Sequence, residues 1–360
     1  MLAKTVTIAF VGDIMLGRQV NAVGSTVAPE AFWGDVLPIL RQADAVFANL
    51  ECPITAGTQR WKRCWKAFRF RAEPHMIEVL AAANIRFVSL ANNHILDCET
   101  EGLIDTLAHL DEAGIAHAGA GRNSGEAMRP ALLDVAGLRV GALSLTNTLP
   151  EFAAGLSRPG TNFVRIRDDH ATLGLLALQI EDVRRRGADL IILGAHWGPN
   201  LRPWPPARYR RFARAAVELG VDVFHGHSAH ILQGVELAGG RAILYDTGNI
   251  LDDYWIFPGI RTDRSCVFLA DFAGSSLRGL RAIPVSLQRG GVRLARGRES
   301  SAIAARLLRL SRPYVTPEHD TVSQLCFQPS GRMRPALAAA TDDSRRMAAS
   351  RADAVVALYS

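Results

Sequence analysis

The chain is poor in the features that would assign it quickly. Its 360 residues hold five cysteines, Cys52, Cys64, Cys98, Cys266 and Cys326, and no two of them form a Cys-x-x-Cys pair. Odd in number and scattered, they are expected to be reduced thiols of a cytoplasmic protein rather than a disulfide framework. No run of 18 apolar residues occurs, so no membrane-spanning helix and no membrane anchor are expected. The opening MLAKTVTIAFVGD lacks the longer apolar region and small-residue cleavage site of a signal peptide, and it reads as the first strand of the fold. No GxxxxGK[ST] is present, which excludes nucleotide hydrolysis through a P-loop. No GxSxG marks a nucleophilic serine, and Ser228 reads as a turn residue. No internal repeat of about 20–50 residues is visible.

What is present is ample apolar material, 48% hydrophobic against 21% charged, enough for one large α/β domain with a small appendage. The formal net charge of +6 favours anionic partners. Much of that charge gathers at 60–71, RWKRCWKAFRFR, with six cations and four aromatics in twelve residues. Such interleaving suits nucleic acid in principle. A single segment is equally explained by a substrate-facing loop that recruits phosphate or carboxylate groups, and no nucleic acid is expected.

Strand and helix signals alternate. TVTIAFVGD delivers Asp13 to a strand tip, and DAVFANLECP delivers Asn49 and Glu51, which at i, i+2 point to one side. RFVSLANNHILD breaks into Asn92, Asn93 and His94, followed by Asp97. The spacing predicts helices over 29–42, from Pro74 onward, from a Thr100 cap to Gly114, after Asp168, and after the Pro-broken NLRPWPPARYR. A Gly/Pro-rich loop over 151–162 is expected to cover the site.

Two apolar, β-branched runs, DLIILGAHWG (189–198) and DVFHGHSAH (222–230), end abruptly in glycine and histidine. They carry four of the ten histidines: His196, His225, His227 and His230. In parallel sheets, ligands gather just past such strand ends. Neutral imidazole, carboxylate and amide oxygen together suit one or two borderline divalent ions, Mn, Fe or Zn, better than Mg. A β-rich stretch follows, including YDTGNI with Asp246 and Asn249. The domain is therefore expected over 1–295, with a peripheral helical extension at 296–360 that includes a helix at 300–310 and a tail at 333–360.

The motifs VGDIMLGR, FANLECPIT, FVSLANNHILD, GAGRNSGEA, LGAHWG, GHSAH and YDTGNIL occur in that order between about residues 5 and 255. With them the chain resembles the CapA-type poly-γ-glutamate capsule-synthesis proteins, a branch of the calcineurin-like metallophosphoesterase superfamily. The resemblance implies a four-layered α/β/β/α sandwich with a metal centre at the strand ends. Carried over by position, Asp13 and His230 serve a first ion, Asn93, His196 and His227 a second, and Glu51 bridges them. His94 matches the non-ligand histidine that handles the leaving-group proton, with Asn92 beside it. Arg18, Asn49, Arg69, Arg71 and Trp197 are expected to contact an anionic small molecule or a polyglutamate-like substrate.

Three departures accompany the resemblance. Met15 stands where simple phosphoesterases have a ligating histidine. Two residues rather than one separate His227 from His230, and Pro199-Asn200 follows HWG in place of an acidic residue. The expected activity is metal-dependent hydrolysis of a phosphoester, ester or amide. Two alternatives stay open: a non-hydrolytic polyglutamate-binding or assembly protein, and a cytosolic amide-forming tailoring enzyme.

Overall fold

The computed structural model describes residues 5–166, 170–314 and 325–327. From the N-terminus run β1 (Thr5–Ile14), α1 (Arg18–Gly24), α2 (Leu37–Gln42), β2 (Ala45–Leu50), α3 (Ile77–Ala82), β3 (Ile85–Ser89), α4 (Glu99–Glu112) and β4 (Ala116–Ala118). The middle adds β5 (Ala120–Gly121), α5 (Ser124–Ala127), β6 (Ala131–Val135), β7 (Leu138–Thr146), β8 (Gly160–Thr161), α6 (His170–Arg185), β9 (Leu190–His196), α7 (Ala207–Glu218) and β10 (Val223–His227). The last part holds β11 (Val235–Ala238), β12 (Arg241–Leu244), β13 (Asn249–Leu251), β14 (Arg264–Ala273), β15 (Ser276–Gln288), β16 (Gly291–Leu294), α8 (Gly297–Ser311) and β17 (Leu325–Phe327).

Two large sheets result. One runs β16-β15-β14-β1-β2-β3-β4, with β13 also pairing β1 and β17 pairing β15; the other runs β11-β12-β10-β9-β7-β6. Around the site the pairing is parallel: β1 with β2, β2 with β3, β1 with β13, and β9 with both β7 and β10.

The two-residue period of the strands decides what lies on each face. Ile8 and Phe10 of β1 join Phe47, Phe87, Val140, Ile192 and Val223 in a core between the sheets. The alternate residues Ala9 and Val11 turn outward with Val46 and Val88, and are covered by Leu80 of α3 and Leu103 and Leu107 of α4. On the far side Ile191 and Leu193 of β9 meet Leu176 and Ile180 of α6 and Phe212 and Ala216 of α7. The layers are thus helix, sheet, sheet, helix, the sandwich implied by the motifs. Strands covered on both faces explain the unbroken apolar runs of β2 and β9, each wholly buried leucine contributing about 1.5–3 kcal/mol.

Some local expectations need correction. The single helix over 29–42 is broken: a 3-10 stretch from Pro29 to Val36 is kinked within itself at Gly34 (φ 46°, ψ −134°) and is followed by α2. The apolar spacing there survived the break, so periodicity could not reveal it. Thr100 is not a cap: it lies inside the first turn of α4, whose N-cap is Cys98. The helix expected at 300–310 is α8, and its Ile303 and Leu307 enter the core between the sheets. Asp168 and the tail at 333–360 lie outside the described residues. Among the described residues no helix is long and apolar enough to cross a membrane.

Candidate metal centre

The site forms where five strands end or begin together. In register, Asp13 stands opposite Asn49 of β2 on one side and Asn249 of β13 on the other. His196 of β9 stands opposite His227 of β10. Two glycines make this convergence possible. A Cβ on Gly12 would lie 1.8 Å from the Gly248 carbonyl oxygen, and one on Gly226 would lie 2.0 Å from that of Tyr245. Only a bare backbone fits at either point. Past β10 the chain turns sharply, with Ser228 and His230 at positive φ (101° and 56°). The Asp246 carboxylate holds this turn by accepting the Ala229 amide at 2.7 Å and the Gly248 amide at 2.8 Å.

At the centre, one ligand atom each from Asp13, Glu51 and His196 lies within 4.8 Å of the others, and all three side chains are buried. Asp13 Oδ1 accepts from Asn49 Nδ2 at 2.8 Å, while Oδ2 is 3.3 Å from His230 Nδ1. Glu51 lies between two imidazoles: Oε1 is 3.7 Å from His196 Nε2 and Oε2 is 3.9 Å from His230 Nδ1. Tyr254 donates to Glu51 Oε2 at 3.4 Å. His227 and His225 bring their Nε2 atoms to 3.2 Å, and His225 also meets Thr247 Oγ1 at 3.2 Å.

Burial governs the charges here. It pushes His196 down to about 3 and His227 down to about 4, so both imidazoles are neutral, the form that ligates metal. Burial alone would also lower His230, but the Glu51 and Asp13 carboxylates outweigh it and hold His230 up at about 10. Burial works against the charge of Asp13 as well. The hydrogen bond from His230 and its positive charge overcome it and hold this carboxyl well below its ordinary range. Burial raises Glu51 well above the usual carboxylate range.

Beside this cluster stands His94. Its Nδ1 is 2.6 Å from Asp97 Oδ2, which also accepts the Phe70 amide at 2.8 Å. Lys66 ion-pairs with the other oxygen of Asp97 and donates to the Asn93 carbonyl. Phe70 packs on the His94 ring at 4.2 Å and stacks with Tyr254 at 5.6 Å. Arg18 lies over both of these rings and is tied to Asp253.

Several residues expected to touch substrate do otherwise. Trp197 is 3% exposed, packed against Tyr209 and Phe224, and donates its indole N–H to the Tyr245 carbonyl. It belongs to the helix-covered core of the second sheet. Arg69 donates to the Trp61 and Lys66 carbonyls, and Arg71 pairs with Glu73 and the Thr55 carbonyl, so these guanidinium groups brace their own loop. Asn49 is wholly buried between Asp13, His196 and Asn92. Asn92 accepts the His94 and Ile95 amides and donates to Leu50, which makes it the cap of the turn rather than a reacting group. Met15 points into the helix-covered core of the first sheet. Lys66 and Tyr254 were missed as individuals: one was hidden as one of six clustered cations, and the other lies just past the last recognised motif. Asn249, named only as a strand-end residue, brings its Oδ1 to 3.0 Å from His230 Nδ1.

The donor set fits a divalent cation. Glu51 Oε1, Asn93 Oδ1 and His227 Nδ1 are buried without any hydrogen-bond partner. Each such atom costs about 1–3 kcal/mol unless something satisfies it. A carboxylate oxygen, an amide oxygen and a neutral imidazole nitrogen are all good ligands for Mn, Fe or Zn.

The profile of the family described as bacterial capsule synthesis protein PGA_cap matches residues 7–254. A probable polyglutamine synthesis accessory protein of Mycobacterium tuberculosis is 30% identical over 352 residues, covering 86% of this chain and 92% of that protein. The PGA biosynthesis protein CapA of Bacillus subtilis is 30% identical over 250 residues, covering 69% of this chain and 63% of that protein. Among solved structures, a 5'-nucleotidase precursor from Thermus thermophilus aligns at 14% identity with a TM-score of 0.44, over 86% of this chain and 59% of that one.

Proposed function

Because the chain belongs to the bacterial capsule synthesis protein family PGA_cap, we propose that it is a metal-dependent hydrolase acting on an anionic phosphoester, ester or amide. The observation that carries this reading is the meeting of Asp13, Glu51 and His196 within 4.8 Å, beside ligand-type atoms that are buried and unpartnered. Asp13 and His230, the latter after giving up its proton, would hold one ion, and Asn93, His196 and His227 a second. Glu51 has one oxygen toward His196 and the other toward His230, which suits a bridging carboxylate. A divalent cation bound there supplies Lewis acidity toward a phosphoryl or carbonyl oxygen and toward water.

The chain's own residues supply the rest. With Asp97 accepting from its Nδ1–H, His94 would present Nε2 to the leaving group and, when that nitrogen carries a proton, pass it to the departing oxygen or nitrogen and return to the neutral ring. Asn92 fixes the turn that carries His94, and Asn49 holds Asp13 in place. Arg18, above the Phe70 and Tyr254 rings and paired with Asp253, would face a substrate's negative end with the part of its guanidinium that Asp253 leaves free.

The test is hydrolysis of a panel of phosphoesters and γ-glutamyl amides, before and after chelator, with Mn, Fe or Zn added back. Activity lost to chelator and restored by metal is expected, and chelator-resistant turnover would remove the metal from the reading. A second reading has one observation in its favour: Met15 faces the core and contributes no ligand of its own. The protein would then bind an anionic polymer such as polyglutamate without cleaving it. Retention of polymer by Asp13→Ala, with no hydrolysis of the panel by wild type, would favour that alternative.

A further inference from the structure

Of the six cations at 60–71, one turns inward. The Lys66 side chain is 7% exposed, against none for its partner Asp97. Its ammonium donates to the Asn93 carbonyl, pairs with Asp97 Oδ1, stands 3.4 Å from His94 Nδ1 and lies 4.8 Å from the centre of the Phe152 ring. Burying an ammonium is unfavourable unless acceptors replace its water, and here a carbonyl and a carboxylate do so. Those two acceptors belong to the residues on either side of His94 in its turn. Asn93 carries a buried, unpartnered Oδ1, and Asp97 holds His94 by Nδ1.

Loop anchoring alone does not require this arrangement. Arg69 braces the same loop through the Trp61 and Lys66 carbonyls, and the Trp61 amide is bonded to the Asp97 carbonyl. What the ammonium adds is to hold both ends of the Asn93–Asp97 turn at one point. The Asp97 carboxylate has two oxygens and three claimants, and the cation on Oδ1 leaves Oδ2 to the imidazole and the Phe70 amide.

We propose that Lys66 is a positioning residue for the His94 turn, its ammonium clamping the Asn93 carbonyl to the Asp97 carboxylate so that His94 keeps its Nδ1–H on Asp97 and offers Nε2 to the substrate. The role of Nε2 rests on the hydrolase reading above; the clamp itself does not. The segment that sequence alone suggested as a substrate-binding face thereby acts partly from behind the site.

The experiment is nitrogen-15 histidine NMR on the full chain, as purified and after chelator treatment, with the His94 ring signals assigned through His94→Gln. In wild type the His94 Nδ1–H is expected as a downfield proton coupled to a protonated Nδ1. Lys66→Met and the milder Lys66→Gln are expected to abolish or broaden that signal and to leave the His225 ring signals in place; Lys66→Arg is expected to restore it. Arg69→Gln loosens the loop while sparing the ammonium, and is expected to leave His94 unchanged. Unchanged His94 signals in Lys66→Gln would overturn the proposal, as would an equal disturbance in Arg69→Gln. If a hydrolysable substrate is in hand, kcat should fall roughly 10²-fold in Lys66→Gln with KM nearly constant. If wild type proves inactive on every substrate, the hydrolase reading fails while the NMR result still decides the clamp.

Discussion

Asn92 and Asn93 are adjacent and identical, yet they do opposite work. All of the polar atoms of the Asn92 side chain are bonded within the protein, whereas Asn93 has a buried oxygen with no partner. Asn92→Ala should therefore cost about 2 kcal/mol of stability through lost buried hydrogen bonds, read as a lowered midpoint in urea. Asn93→Ala should leave that midpoint nearly unmoved and weaken metal binding about tenfold or more, read by titration with Mn or Zn. Equal effects of the two on stability would refute the division. His94→Ala should lower kcat by roughly 10²–10⁴-fold, the usual loss for a removed proton donor. Arg71→Gln should change neither kcat nor KM, because its guanidinium is already engaged by Glu73 and Thr55.

At the scale of elements, close backbone approach brings the strand ends together. Gly12→Ala would put a methyl 1.8 Å from the Gly248 carbonyl, a backbone atom that cannot rotate away. A loss of about 3 kcal/mol is expected, visible in thermal melts even of metal-free protein. The joint between β16 and α8 allows a pH test. Asp35 accepts the Leu294 amide at 2.7 Å and pairs with Arg296. Its partial burial works against the charge, but those two partners prevail and hold its carboxyl below the ordinary value. A depressed carboxylate stabilises fully above its unfolded value near about 3.9, and the benefit fades as pH falls through the folded value. Asp35→Asn should thus lower stability at pH 7 by no more than about 1 kcal/mol, since the pair is exposed. Melts from neutral pH to below about 4 should show the gap to wild type closing; a gap that widens in acid would reverse the assignment.

For the whole molecule, a cation held by residues from both sheets should couple metal binding to folding. Wild type should gain about 2.7 kcal/mol when free metal is a hundredfold above its dissociation constant. Asp13→Ala should lose most of that gain, because it removes a donor from the first sheet that His196 and His227 cannot replace from the second. Differential scanning calorimetry with and without chelator measures both. The layered architecture that makes this coupling possible was legible beforehand: near-continuous apolar runs such as TIAFVG and LIILGA announce strands covered on both sides, and Gly-His or Gly-Asp at their ends announces where chemistry can gather.

Residue order alone determined which side chains reach a strand tip, because a period of two assigns each residue a face and a turn residue ends the run. It also determined that carboxylate, amide and imidazole donors arrive there in quantity. Only the tertiary structure decided which of those groups are engaged internally and which are left without partners. Asn49 and Asn92 differ from Asn93, Trp197 from its neighbour His196, and Lys66 from Arg69 and Arg71, by contacts made between segments far apart in the chain. Such contacts depend on how two sheets and their loops pack, and no local pattern carries that information.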